Sequence, residues 1–155
     1  MSFYTHKIED ATVSDHSQLT DLWEASVRAT HHFLSNEDIL FYKSMITEEN
    51  FNHVDLYKIC VNEKSKNEIV AFMGIAEKKL EMLFIHPDYI GKGLGTFLLQ
   101  YAIGKLNVDR VDVNEQNDRA YIFYKRMGFE KISRDPIDGS GKPFPILHLK
   151  LKKSC

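Results

Sequence analysis

The sequence predicts an α+β (mixed α/β) protein: a central mixed β-sheet with helices on both faces and elements in the order β-α-α-β-β-β-α-β-α-β-β. Three observations predict it. Apolar positions recur at helical spacing in two stretches soon after the N-terminal strand. The β-branched and aromatic runs "DLYKICV" and "EIVAFMGIA" flank the turn-like "NEKSKN" and read as a hairpin. Downstream, strand and helix patterns alternate around a glycine cluster, as a strand–helix–strand crossover requires.

Taken in order, Tyr4, His6 and Ile8 alternate with polar neighbours and predict a short first strand. Ser14 is the expected N-cap of the first helix, whose apolar face is Leu19, Leu22, Trp23 and Val27. Ser35 caps a second helix, with Asp38 at its third position facing the free amides of the first turn. The hairpin follows, and "LEMLFI" adds a third strand to it. In "GLGTFLLQYAIGKL", Leu94, Leu98, Leu99, Ala102, Ile103 and Leu106 share one helical face, and "VDRVDV" after it reads as a strand. Asn117 or Asp118 caps "RAYIFYKRM", which stops at Gly128, a natural left-handed residue, with Phe129 placed to pack back on the helix. Two strands, near "FEKISR" and "PILHLKL", flank the turn-forming "PIDGSGKP".

The chain has 155 residues, 43% hydrophobic and 27% charged, with no repeat, linker or low-complexity block, and is expected to form one domain over residues 1–155. A net charge of -2 with dispersed Lys and Arg gives no electrostatic footprint for nucleic acid or an anionic membrane, so neither partner is expected. Cys60 lies in an apolar run and Cys155 at the end of the chain; they make neither a metal spacing nor a disulfide framework, and His86 and His148 have no metal-ligand spacing. No metal is expected. The stretch "MSFYTHKIED" lacks the apolar core of a signal peptide and no run approaches the roughly 20 apolar residues of a membrane helix, so a cytoplasmic location is expected. Oligomeric state, a homodimer included, has no sequence signature.

In "IHPDYIGKGLGTFLLQYAI", Gly91, Gly93 and Gly95 fall within five positions at the entrance to a helix. Such a helix start presents free N–H groups and the positive end of its dipole, and missing Cβ atoms admit an anion to hydrogen-bonding distance. A Walker loop is absent, because Lys92 is followed by Gly93 where Ser or Thr is needed. A G-x-G-x-x-G fingerprint fails as well, since its last glycine would fall on Thr96. What remains, x-x-x-G-x-G over Ile90 to Gly95, resembles the acetyl-coenzyme A loop of the GNAT N-acetyltransferases. "NEQNDRAYIFYKRMGF" is similar to the second signature of that superfamily, N-x-x-A-x-x-x-Y-x-x-x-G-F. The element order matches the GNAT acyl-CoA N-acyltransferase fold over essentially the whole chain, and "ATHHFLS" and "GKPFPILHL" resemble a subgroup of small bacterial acetyltransferases.

The resemblance implies acetyl transfer from acetyl-coenzyme A to a primary amine of a small-molecule or peptide acceptor, by direct attack in a ternary complex. It implies that the amides of Gly91, Lys92, Gly93, Leu94, Gly95 and Thr96 hold the pyrophosphate. Ile90 stands where the family usually has Arg or Gln, and Lys92 is the available cation. By the same resemblance, the backbones of Phe84 and Ile85 pair with the pantetheine arm, Ala120 leaves room for it, and Asn117 both caps its helix and touches the cofactor. Tyr124, four residues after Ala120 and so on the same helical side, is implied as the acid for the leaving thiolate. A lysine-like amine near pKa 10.4 must also lose a proton. Glu81, in phase with Leu83 and Ile85, is the first candidate base and Asp112 a weaker one. His31, His32 and Phe33 lie between the first two helices, the region that shapes the acceptor pocket in GNAT proteins; Phe33 is a candidate wall of that pocket, and Trp23 is another, although its helical spacing with Leu19 points first to the core. A non-catalytic acyl-CoA-binding sensor with the same fold is the competing class, and a nucleotide-binding module a third.

Overall fold

The computed structural model describes residues 7–63 and 66–152. Seven strands, β1 (Ile8–Asp10), β2 (Asp55–Glu63), β3 (Lys66–Ala76), β4 (Lys79–Ile85), β5 (Arg110–Asn114), β6 (Phe129–Asp135) and β7 (Ile146–Leu151), form one sheet. Four helices, α1 (His16–Thr30), α2 (Asn36–Glu48), α3 (Leu94–Leu106) and α4 (Asp118–Arg126), complete the expected order. Among the described residues the strands lie β1-β2-β3-β4-β5-β7-β6, with only β4 and β5 parallel. Tyr4 and His6 of the expected first strand fall outside the described residues.

Local chemistry sets most helix starts. Ser35 accepts the Asp38 N–H at 3.1 Å while the Asp38 carboxylate accepts the Ser35 N–H at 3.2 Å, a reciprocal cap that opens α2. Ser14 does not cap α1 as the sequence predicts. A 3-10 turn, Val13–Asp15, precedes the helix, and the Thr12 N–H donates to the Asp15 carboxylate at 2.9 Å, the three-residue spacing that Ser14 lacks. Asn117 caps α4 by accepting the Ala120 N–H at 3.3 Å, and Gly128 ends that region at φ +102° with Phe129 buried behind it.

The sheet is covered on both faces. Leu94, Leu98, Leu99 and Ala102 of α3 pack on one face against Val70, Met73, Leu80 and Val111, all nearly free of solvent contact. Leu19, Leu22, Trp23 and Val27 of α1, with Ile39 and Ile46 of α2, pack on the other against Leu56, Phe72 and Met82. Removing each such side chain from water stabilises the fold by roughly 1.5–3 kcal/mol before entropy is counted.

Two bulges re-aim the central strands. Between the pairs Gly74↔Met82 and Ile75↔Leu80, β4 carries one extra residue, Glu81, and β3 carries Val70 opposite Ile59 and Cys60. The bulge breaks the period of two along β4. Leu80 faces the α3 side, yet Met82, two residues on, faces the α1 side.

Candidate active site

The glycine loop follows β4 through a 3-10 turn, Pro87–Tyr89, and leads into α3. Gly91 (φ +80°) and Gly93 (φ +87°) adopt the left-handed conformation, and beyond the adjoining residues no described atom lies within 4 Å of where a Cβ would stand on either. The α3 ladder starts where the Phe97 N–H donates to the Gly93 carbonyl at 3.0 Å, so the N–H groups of Leu94, Gly95 and Thr96 in the first turn have no intrahelical acceptor. Unpaired amides at a helix start with open space before them form a concavity suited to a phosphate. Lys92 is exposed, its ammonium 5.4 Å from the centre of the Tyr89 ring. These residues fit a diphosphate-bearing co-substrate.

β4 and β5 pair only at Lys79↔Arg110 and Leu80↔Val111. Beyond Leu80 they part, leaving the β5-facing backbone of β4 without a neighbouring strand through Phe84 and Ile85. A strand edge inside a sheet, open for several residues, can pair with an extended ligand carrying amides. On the α4 side, Tyr124 is 7% exposed, its ring edge-on to Phe129 at 6.0 Å and beside Phe123 at 5.2 Å. Its hydroxyl makes no hydrogen bond among the described residues, and burial pushes the phenol well above the usual tyrosine value. Ala120 is half-buried one turn earlier on the same helix.

On the opposite face of the sheet lies a cavity of about 610 Å³, walled by Trp23, His31, Tyr42, Glu81, Phe84 and Asp138 among others. Glu81 reaches it with Met82 and Phe84, whereas Leu83 and Ile85 pack on the α3 side. The expected phase with Leu83 and Ile85 is therefore wrong, and the bulge is the reason: as the extra residue of β4, Glu81 leaves their alternation. Of the histidine pair, His31 lines the cavity and His32 is exposed; Phe33 stacks between His31 (5.4 Å) and Phe144 (5.8 Å). Thr30 donates its one hydroxyl proton to the Ser26 carbonyl at 2.7 Å, so at 2.8 Å it accepts from His31 Nδ1 and leaves Nε2 with its lone pair. Burial, helped by the adjacent His32, pushes the His31 pKa down to about 4, so the ring is neutral at physiological pH.

A polar row runs outward from Glu81 at the cavity wall. Lys79 is 3.8 Å from Glu81 and in close contact with Asp112, Asp112 meets His148 Nδ1 at 2.7 Å, and Asp135 meets its Nε2 at 2.6 Å. Asp112 thus lies beside its salt partners and does not line the cavity. Hydrogen bonds to Asp135 and Asp112 hold the His148 pKa above its ordinary 6.5. A folded value above the unfolded one gives stabilisation that is complete below about pH 6.5 and lost as pH rises through the folded value. Urea unfolding should accordingly show midpoints falling as pH rises from about 6 to about 9, with the fall reduced in His148→Asn. An unchanged slope in that variant would remove the imidazolium from the explanation.

Tyr42 donates its hydroxyl to Asp138 in a short contact across 96 positions of sequence, and no local pattern could have announced it. Among the described residues no group of three or more His, Cys, Asp or Glu side chains could hold a metal ion, and no helix is long and apolar enough to cross a membrane.

Comparison with known proteins agrees with this geometry. Residues 55–131 match the family model described as "Acetyltransferase (GNAT) domain". The chain is 36% identical over 132 residues to the peptidyl-lysine N-acetyltransferase YjaB of Salmonella typhimurium, covering 85% of this chain and 88% of that protein. The solution structure of apo-form YjaB from Escherichia coli superposes with a TM-score of 0.83 at 32% identity, over 97% of this chain and 99% of that one. The paiA N-acetyltransferase of Thermoplasma acidophilum, solved in complex with coenzyme A, shares the fold with a TM-score of 0.69 at 21% identity, over 94% and 99%. With the glycine loop, the parted strands and the element order all in place, the chain belongs to the GNAT family of acetyltransferases, which draw their acetyl group from acetyl-coenzyme A.

Proposed function

We propose that residues 1–155 act as one catalytic domain that moves the acetyl group of acetyl-coenzyme A to a primary amine, the side chain of a peptide lysine, by direct attack in a ternary complex. The observation that carries this reading is the parting of β4 from β5 after Leu80, which leaves an open strand edge between the glycine loop and the cavity. The thioester supplies an activated acyl carbon and a thiolate leaving group. The amides of Gly91, Lys92, Gly93, Leu94, Gly95 and Thr96 hold its diphosphate, with the Lys92 ammonium as a flexible counter-charge. The backbone groups of Phe84 and Ile85 pair with the pantetheine amides, and one N–H there faces the thioester oxygen. Ala120 leaves the arm room, and Asn117 fixes the start of α4 beside it.

Tyr124 gives its proton to the departing thiolate. Burial favours the neutral phenol, so the donor is protonated across the working range. Glu81 takes the amine proton from the cavity side, directly or through water. His31 accepts a hydrogen bond from the acceptor there without adding positive charge, and Phe33 fixes its ring. The acceptor class is suggested by the YjaB relatives and by a cavity lining that, among the described residues, includes carboxylates but no lysine or arginine. Thiol release from acetyl-coenzyme A should require both the protein and an amine such as Nα-acetyl-lysine amide. Binding of the thioester without amine-dependent release would instead mark a sensor.

A further inference from the structure

We propose that this site takes amines with a single ammonium on an apolar stem and discriminates against polyamines, because Tyr42 occupies the cavity's second carboxylate, Asp138. The inference rests on reading the cavity as the acceptor site. Among the described residues two carboxylates line it, Glu81 and Asp138. A polyamine brings two or more ammonium groups joined by apolar links, and each that leaves water needs its own anionic or polar partner. Two open carboxylates would suit it; one would not.

Three of the roughly four acceptor positions of the Asp138 carboxylate are already used. Its Oδ1 accepts the N–H groups of Ser140 and Lys142, each at 2.9 Å, and its Oδ2 accepts the Tyr42 hydroxyl. Three donors aimed at one carboxylate stabilise its charge within the protein and leave little for a ligand cation. The Tyr42 hydroxyl stays protonated and able to donate, since burial and the facing Asp138 raise its pKa above the usual value. Nor is the loop free to turn Asp138 away. Lys142 reaches Asp38 at 3.2 Å, one helical turn before Tyr42 on α2, and its ammonium lies 4.7 Å from the centre of the Phe41 ring. Asp38 is itself fixed by its reciprocal cap with Ser35. The loop between β6 and β7 is thus fastened to one face of α2 at two points a turn apart.

Glu81 differs in every respect. It makes no hydrogen bond among the described residues, and its nearest cation, Lys79 at 3.8 Å, lies closer to Asp112. It is the open carboxylate of the cavity, and the rings of Trp23 and Phe84 offer an apolar wall to a methylene stem.

The test compares kcat/KM for Nα-acetyl-lysine amide and for spermidine, by amine-dependent thiol release, in the wild type, Tyr42→Phe, Asp138→Asn and the double variant. The wild type should prefer the lysine compound by about tenfold or more, the worth of one charge-assisted contact. Tyr42→Phe frees one Asp138 oxygen and should narrow that preference by about tenfold. The double variant should restore it, which separates a released carboxylate from mere loosening of the loop. A wild type that uses spermidine as well as the lysine compound would overturn the inference while leaving the transferase reading intact, as would a Tyr42→Phe gain that survives removal of Asp138. Thiol release with neither amine would bring down the transferase reading itself, and this inference with it.

Discussion

Replacing Tyr124 with phenylalanine is expected to lower kcat by about a hundredfold or more while acetyl-coenzyme A affinity stays within about twofold. A hundredfold corresponds to about 2.7 kcal/mol of barrier, within the range of a single positioned proton donor. The substitution removes only the oxygen, and that oxygen has no hydrogen-bond partner among the described residues, so the ring keeps its packing against Phe123 and Phe129. The melting temperature should therefore hold or rise slightly. The phenol also ionises above its usual value because it is buried, so deprotonation of Tyr124 should not depress the wild-type rate below about pH 10. Steady-state kinetics across pH, with calorimetry for the thioester, decides the matter. A Tyr124→Phe protein turning over within twofold of the wild type would take the proton-donor role away from this residue.

Gly93→Val should act on binding and spare most of the fold. At φ +87° a β-branched residue carries a backbone penalty of roughly 1–2 kcal/mol, which for a chain of this size lowers the melting temperature by only a few degrees. Beyond the adjoining residues, no atom stands within 4 Å of the new Cβ, so the Cβ itself meets open space. On the proposed reading, the added atoms enter the space of a diphosphate held by the amides of Gly91 to Thr96. Loss of even one charge-assisted amide contact costs about 2 kcal/mol, so calorimetry should show acetyl-coenzyme A affinity about thirtyfold weaker. Gly104→Ala provides the control. Gly104 lies in α3 with open space around it, so alanine should stabilise the helix by about 0.5–1 kcal/mol with affinity unchanged. Normal thioester affinity in Gly93→Val would show that the loop amides do not hold the phosphates.

The features legible beforehand are those whose causes lie within a few residues of one another. Ser35 and Asp38 are three positions apart, so their cap could be read directly, as could Asn117 at the start of α4 and Gly128 after its end. The glycine loop announced itself in the same way, because the need for positive φ and bare backbone is a property of single residues. Hydrophobic period then supplied the element order and the helix faces. Ser14 was misread within this local regime, since Thr12 competed for the same turn with an acidic partner at the better spacing.

Glu81 shows where that regime ends. Its side chain reaches the cavity, but the phase argument that pointed there assumed an unbroken strand, and the bulge opposite Gly74 and Ile75 exists only because β3 and β4 pair as they do. His148 carried no signal until β5 and β6 brought Asp112 and Asp135 to its two ring nitrogens, and Tyr42 none until the loop after β6 folded onto α2. By itself the sequence determined the order of elements, their faces, the caps of α2 and α4 and the glycine loop before α3, since these follow from short-range sterics and periodicity. Register, the parting of β4 from β5, and the choice of which carboxylate stays open to an acceptor were decided only in the tertiary structure, because each depends on groups that the chain holds far apart until the sheet has assembled.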